Sequence, residues 1–197
     1  MKKAAVLWTG GKDSCLALLL AHEMGYQIVT LATFEPFDAV EFKAHPQSEM
    51  RDQAIKLGID IEFLKVAEPY MDSYIYNLRK LRDEFGISAV VTGDIDLVDG
   101  RPNWIVECCK DLSIEVVRPL WKLQRDTIMR EIISRGIKAR ISLINHPLIP
   151  QTWLGKIIDE PFLEEMKTLS LTLGLDLAGE NGEYHTMVNE MPTRFRQ

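Results

Sequence analysis

Disulfides are the first thing this sequence has little means to build. It holds three cysteines, Cys15 and the adjacent pair Cys108-Cys109, which form no disulfide framework and fit a reducing compartment. Long apolar runs are missing too. The longest, Cys15 to Ala21, falls far short of the roughly 20 residues a membrane helix needs. The opening Met1-Lys2-Lys3 leads straight into the strand-like Ala4-Ala5-Val6-Leu7-Trp8 and not into a signal-peptide core. The expected location is therefore cytoplasmic, with no membrane association. Nor is there a surplus of basic charge: 23 Lys+Arg stand against 29 Asp+Glu, a net charge of −6, which argues against a general nucleic-acid binder. What is present is the composition of a globular protein, with 46% apolar and 26% charged residues over 197 positions. That length buries a full core in one domain, or in one domain with a small appendage.

The charge is uneven along the chain. Arg118, Lys122, Arg125, Arg130, Arg135, Lys138 and Arg140 meet only Asp126 and Glu131 between Arg118 and Arg140. From Asp159 to Glu190 the balance reverses, with eight acidic residues and only Lys167. The shift points to two functional regions, or to solvated helix faces.

Apolar periodicity gives a regular alternation over the first 118 residues. Strand-like runs at Ala4–Trp8, Ile28–Thr33, Ile61–Val66, Ala89–Thr92 and Ile114–Val117 are short and apolar on both faces. Helical patterns at Lys12–Met24, Ser48–Leu57, Tyr70–Phe85 and Pro102–Leu112 lie between them, and Gly25, Gly58 and Gly86 close the first three. This rhythm predicts an α/β fold, a five-stranded parallel sheet with helices on both faces. After Pro119 the pattern changes to a helix at Gln124–Arg135, a strand at Lys138–Ile144 and a helix at Glu160–Leu173. The expected division is residues 1–118 as the main domain and 119–197 as a smaller C-terminal α/β domain. Glu35–Gln47 reads as a long connection or a lid.

The most informative stretch is Trp8-Thr9-Gly10-Gly11-Lys12-Asp13-Ser14, between the first strand and the first helix. Its glycines let backbone approach an oxyanion, the helix N-terminus presents N–H groups, and Thr9, Lys12 and Ser14 add two hydroxyls and a cation. This is an anion cradle. It is not GxxxxGK[ST], which would require glycine at Val6, nor does it have the spacing of GxGxxG.

Thr9-Gly10-Gly11-Lys12-Asp13-Ser14 is similar to the SGGxDS signature of the PP-loop ATP pyrophosphatases, with threonine in place of the usual serine. Three further stretches narrow the resemblance to the diphthine–ammonia ligase family: Thr92-Gly93-Asp94-Ile95, Arg118-Pro119-Leu120-Trp121, and Gly179-Glu180-Asn181-Gly182-Glu183-Tyr184-His185-Thr186-Met187-Val188. Glu131–Ile141 fits as well, whereas Asp96–Trp104 departs from the family pattern. The resemblance implies an adenine-nucleotide α-hydrolase-like (PP-loop, Rossmann-like) fold. The implied chemistry cleaves ATP between its α and β phosphates, transfers AMP to a carboxylate and amidates it with ammonia. It also implies ATP and AMP, ammonium and translation elongation factor 2 as partners, with Mg²⁺ as cofactor and the diphthine carboxylate as acceptor. No stable nucleic-acid complex is expected, and a homodimer is left open.

In an open parallel sheet ligands sit beyond the carboxyl ends of the strands, so Thr33, Thr92 and Gly93 should meet the phosphate loop in one crevice. The expected cofactor-binding residues are Thr9, Gly10, Gly11, Lys12, Asp13, Ser14, Thr33 and Gly93, with Lys12 neutralising phosphates and the adenine near Leu31–Phe34. Asp13 and Asp94 are carboxylates near a polyphosphate, a placement that calls for a divalent cation; otherwise they read as a helix cap and a turn. An extended Glu183–Thr186 would put Glu183 and His185 on one face, where they would position ammonia or take its surplus proton, or else brace the small domain. Lys12, Asp94, Glu183 and His185 are thus the expected catalytic set. Zinc at Glu183 and His185 lacks further ligands. Cys15 reads as a packing residue, Cys108 and Cys109 as packing residues or, by resemblance to PP-loop sulfur transferases, as catalytic ones, and Trp121 and Trp153 as core, interface or crevice lining. Two other functions stay open: a PP-loop enzyme acting on another small molecule or a tRNA base, and a nucleotide sensor that ligates nothing.

Overall fold

A computed structural model describes residues 1–38, 43–97, 100 and 103–192. Five strands, β1 (Lys3–Leu7), β2 (Gln27–Pro36), β3 (Ile61–Val66), β4 (Ala89–Val91) and β5 (Glu115–Val117), form one parallel sheet in the order β3-β2-β1-β4-β5. The chain reverses its direction of travel across the sheet between β1 and β4, and at such a switch point a crevice opens beyond the strand ends. Ala4, Ala5, Val6, Val90 and Val91 are buried, as strands covered on both faces require.

Four helices cross over between these strands: α1 (Lys12–Glu23), α2 (Gln47–Leu57), α3 (Tyr70–Phe85) and α4 (Ile105–Cys109). Gly58 and Gly86 end α2 and α3 in the left-handed conformation, with φ of 68° and 67°, where a side chain would be strained. The helix expected at Pro102–Leu112 is shorter. The Asn103 side chain accepts the Ile105 amide at 3.0 Å, which starts α4 late. A 3₁₀ turn at Lys110–Leu112, followed by Ser113 at φ 55°, ends it early. The segment Glu35–Gln47 is likewise only partly a connection. Glu35 and Pro36 extend β2, and the buried Glu35 carboxylate accepts Gln47 Nε2 at 2.6 Å and pairs with Lys65 at 3.0 Å. The rest of the expected lid lies partly outside the described residues.

Beyond residue 118 come α5 (Arg125–Ser134), β6 (Lys138–Ile144), α6 (Glu160–Leu173) and β7 (Tyr184–Glu190), with β6 and β7 paired antiparallel. Asp159 caps α6 by accepting the Phe162 amide at 2.9 Å, and a proline occupies its first turn. Leu16, Leu18, Ile128, Met129, Ile132, Phe162, Met166 and Met187 belong to one hydrophobic core, so α1 packs against the C-terminal elements as well as the sheet. Among the described residues no helix is long and apolar enough to cross a membrane.

Candidate active site

The phosphate loop turns sharply between β1 and α1. Gly10 has a φ of 73°, and a Cβ there would lie 2.7 Å from Gln53 Oε1 and from Met187 Sδ, so the position demands glycine twice over. Gly11 N donates to Thr9 Oγ1 at 3.3 Å, Ser14 Oγ donates to the Gly11 carbonyl at 3.1 Å, and the two hydroxyls lie 3.2 Å apart. Both hydroxyls therefore stand at the N-terminus of α1, where helix amides and the helix dipole favour an anion.

The other strand ends meet the loop as their topology requires. Thr33 Oγ1 donates to the Trp8 carbonyl at 2.6 Å. Gly93 approaches so closely that a Cβ would sit 2.9 Å from the carbonyl carbon of Asp13 and 3.0 Å from the Ser14 nitrogen. A cavity of about 380 Å³ opens between them, within the usual range for small-molecule sites. Its floor is Leu7, Trp8, Thr9, Ala32 and Thr33; Asp13, Ser14, Thr92, Gly93 and Asp94 form its polar end. Phe34, Tyr74 and Trp104 form an aromatic wall, with ring centroids 4.5 Å apart for Phe34–Tyr74 and 5.1 Å for Tyr74–Trp104.

Asp94 stands at the polar end with one oxygen engaged, Oδ1 accepting Asn103 Nδ2 at 3.2 Å. Asp94 Oδ2 and Asp13 Oδ1 are buried without a hydrogen-bond partner. Two orphaned carboxylate oxygens on one cavity are costly unless a cation or a proton reaches them. No cluster of three His, Cys, Asp or Glu residues able to hold a metal occurs among the described residues.

Lys12 is 3% exposed and does not line the cavity. Its Nζ donates to Asp13 Oδ2 at 2.7 Å and to the Ala178 carbonyl at 2.6 Å, and its backbone N donates to Thr186 Oγ1 at 3.1 Å. A further tie links β7 to the loop, the Val188 amide donating to the Gly10 carbonyl at 2.9 Å. Gln53, 2% exposed, binds both: Nε2 donates to the carbonyls of Gly10 at 3.0 Å and Val188 at 2.7 Å, while Oε1 accepts Trp8 Nε1 at 2.9 Å. The C-terminal motif is thus fastened to the phosphate loop through backbone groups on both sides.

Glu183 and His185 do not share the working face expected for them. β7 begins at Tyr184, after Gly182 at φ 80°, so the Glu183 carboxylate turns back into its own loop. It accepts the amides of Asp176 at 2.7 Å and Asn181 at 3.0 Å, and is 4% exposed. His185 lies outside the cavity lining. Its ring meets His45 edge to face at 5.4 Å, and its Nε2 lies 3.2 Å from Asn145 Nδ2. Burial, and secondarily the Lys12 charge, lower its pKa. The residue of this motif that does line the cavity is Glu180.

The cysteines are packing groups. Burial pushes the thiols of Cys15, Cys108 and Cys109 up, that of Cys109 to about 12, so they stay protonated at neutral pH. Trp153 packs on Phe162 at 5.4 Å and Trp121 lies under Arg118 at 4.0 Å, both away from the cavity. Asn103, Trp104 and Glu180 in the lining, and Gln53 and His45 beside the loop, were not singled out by sequence. Much of the basic stretch is paired within the chain: Arg125 with Asp176, Arg130 with Asp126, Arg135 with Glu23 and Arg140 with Glu49.

The family profile of the diphthamide synthase N-terminal domain matches residues 1–116, and that of the diphthamide synthase C-terminal domain matches residues 124–197. A human protein named diphthine–ammonia ligase is 29% identical over 96% of this chain and 79% of its own length. The zebrafish protein of that name is 27% identical over 94% of this chain and 81% of its own length. A solved structure described as a predicted subunit of tRNA methyltransferase from Methanocaldococcus jannaschii superposes with a TM-score of 0.52 at 14% identity, covering 98% of this chain and 100% of that one. That likeness shows the shared fold, the five-stranded parallel sheet expected of an adenine-nucleotide α-hydrolase-like protein. With both profiles in chain order and the phosphate loop at the switch point of the sheet, this chain belongs to the diphthamide synthase family.

Proposed function

We propose that this chain is an ATP-dependent carbon–nitrogen ligase that adenylates the carboxylate of diphthine on elongation factor 2 and amidates it with ammonia, releasing AMP and pyrophosphate. The observation that carries the reading is the cavity in which the Thr9–Ser14 loop, Thr33 and Gly93 converge on two unpartnered carboxylate oxygens, in a chain whose relatives are named diphthine–ammonia ligase.

The roles follow from position. Thr9 and Ser14 hydroxyls and the Gly10–Gly11 backbone hold the phosphates, and the helix N-terminus faces the charge that leaves with pyrophosphate. Thr33 and Phe34 border the adenine. Lys12 adds positive potential from behind the loop while fixing the Ala178 segment. Asp94, with one free oxygen and no basic neighbour bonded to it, fits a magnesium ion, whose usual protein ligands are one or two carboxylates alongside substrate phosphates. Asp13 gives one oxygen to Lys12 and suits it less. When bound, the ion draws charge from the phosphates. The remaining work is positioning: acceptor carboxylate and α phosphorus held in line, with water kept out by the aromatic wall. Residues 1–118 are read as the nucleotide half and 119–197 as the half that selects the acceptor.

Pyrophosphate release tests the reading directly. Sustained release over many turnovers should require ATP, magnesium, ammonium and elongation factor carrying diphthine, and mass spectrometry should find the amide on the factor. Release that ignores the factor would point to another acceptor, and absence of release under every condition to a nucleotide-binding protein without ligase activity.

A further inference from the structure

Among the described residues, every one that lines the cavity comes from the first 105 positions except Glu180. It sits on the loop between α6 and β7, and that loop is held in place on both sides. Lys12 Nζ grips the carbonyl of Ala178 two residues before it, and the Glu183 carboxylate takes the Asn181 amide just after it. Gly179 at φ 78° makes the turn, and a Cβ there would lie 2.9 Å from the Tyr184 carbonyl oxygen. Its own backbone amide donates to Asp176 Oδ1 at 3.3 Å, so the carboxylate is carried to the cavity by backbone and neighbour contacts that leave its two oxygens out of the scaffold.

We propose that Glu180 receives ammonium in this cavity and takes its surplus proton before nitrogen attacks the acyl-adenylate. The inference rests on the ligase reading above. Ammonium carries no lone pair, so one N–H bond must break first: the proton goes to the Glu180 carboxylate, which becomes a carboxylic acid. The nitrogen lone pair then forms the C–N bond, and the C–O bond to AMP breaks with its electron pair leaving on the phosphate oxygen. The nitrogen sheds its second proton to solvent as the amide forms.

The surroundings suit that task. Glu180 is an exposed residue, yet the protein around its carboxyl pushes its pKa up to about 7. Asp13 of α1 and Asp176 of its own loop push the same way; Lys12 of α1 and Arg125 of α5 pull it down. A carboxylate closer in basicity to ammonia loses less driving force in accepting its proton. Glu183, the other carboxylate of the motif, is filled by the amides of Asp176 and Asn181 and by Asn181 Nδ2, and holds the turn.

The test compares Glu180→Gln with the native protein, following amide formation with ammonium from pH 6.5 to 9 and with hydroxylamine, which is largely neutral at pH 7 and needs no prior proton removal. With ammonium at pH 7 the variant should lose roughly a hundredfold and recover part of it as the pH rises; with hydroxylamine it should lose far less. Equal loss with both nucleophiles, a loss that ignores pH, or no loss would overturn the proposal. Glu183→Gln serves as the structural comparator, lowering the urea midpoint and affecting both nucleophiles alike. If the native protein forms no amide with either nucleophile, the ligase reading has failed and the inference with it, an outcome read without any variant.

Discussion

The Nζ of Lys12 donates to the carbonyl oxygen of Ala178 over 2.6 Å, across 166 positions of sequence. An ammonium expected to face phosphate therefore also locks the C-terminal motif onto the first turn of α1. Binding of nucleotide and placement of the acceptor loop share one cation.

Replacing Lys12 by methionine keeps the stem and removes the charge. It should cost about 1–3 kcal/mol in urea unfolding, because Asp13 and the Ala178 carbonyl lose a buried donor, and it should also weaken ATP binding. A side chain aimed only at ligand would lower ATP affinity and leave unfolding unchanged. Calorimetric ATP titration beside urea melts separates the two.

Gly93→Ala tests the approach of β4 to α1. The new Cβ would meet main-chain atoms of Asp13 and Ser14 at 2.9 and 3.0 Å, and main chain in a helix turn does not yield as a flexible side chain does. We expect a loss of about 1–3 kcal/mol from overpacking, together with weaker ATP binding as the loop shifts. Unchanged unfolding and unchanged affinity would show that the close approach is not needed.

How much of this could be read in the sequence depended on how local the cause was. The sheet could, because β1 and β4 are apolar on both faces and their turns carry glycine; the phosphate loop could, because strand, paired glycines and helix are contiguous. Gln53 could not. A glutamine in a helix as polar as Gln47–Leu57 reads as surface, and only the long-range bonds to Trp8, Gly10 and Val188 bury it. Glu180 and Glu183 show the same limit within one motif. Strand alternation assigned faces to Glu183 and His185 as if β7 began one residue earlier. Gly182, at φ 80°, breaks that alternation and returns Glu183 to its own loop. Trp104 lines the cavity while Trp121 and Trp153 do not, a choice set by the packing of α3 against α4 through Tyr74.

His45 ties the last prediction to pH. Burial, with the His185 ring 5.4 Å away, lowers its pKa from 6.5 to about 4 against a weaker opposing hydrogen bond to the Thr9 backbone. Between those two values the unfolded chain holds a proton that the folded chain does not, so stability falls as the pH drops from about 6.5 towards 4. At about 1.4 kcal/mol per pKa unit the ceiling is on the order of 3 kcal/mol, and partial exposure of the ring lowers it. Glu180 acts in the opposite sense, its raised pKa favouring the folded state as the pH falls below about 7, and it does so equally in both proteins compared. Urea unfolding at pH 7.5 and 4.5 should therefore show a smaller acid loss in His45→Gln than in the native chain. Identical losses would mean that His45 takes up its proton in the folded state as readily as in the unfolded one.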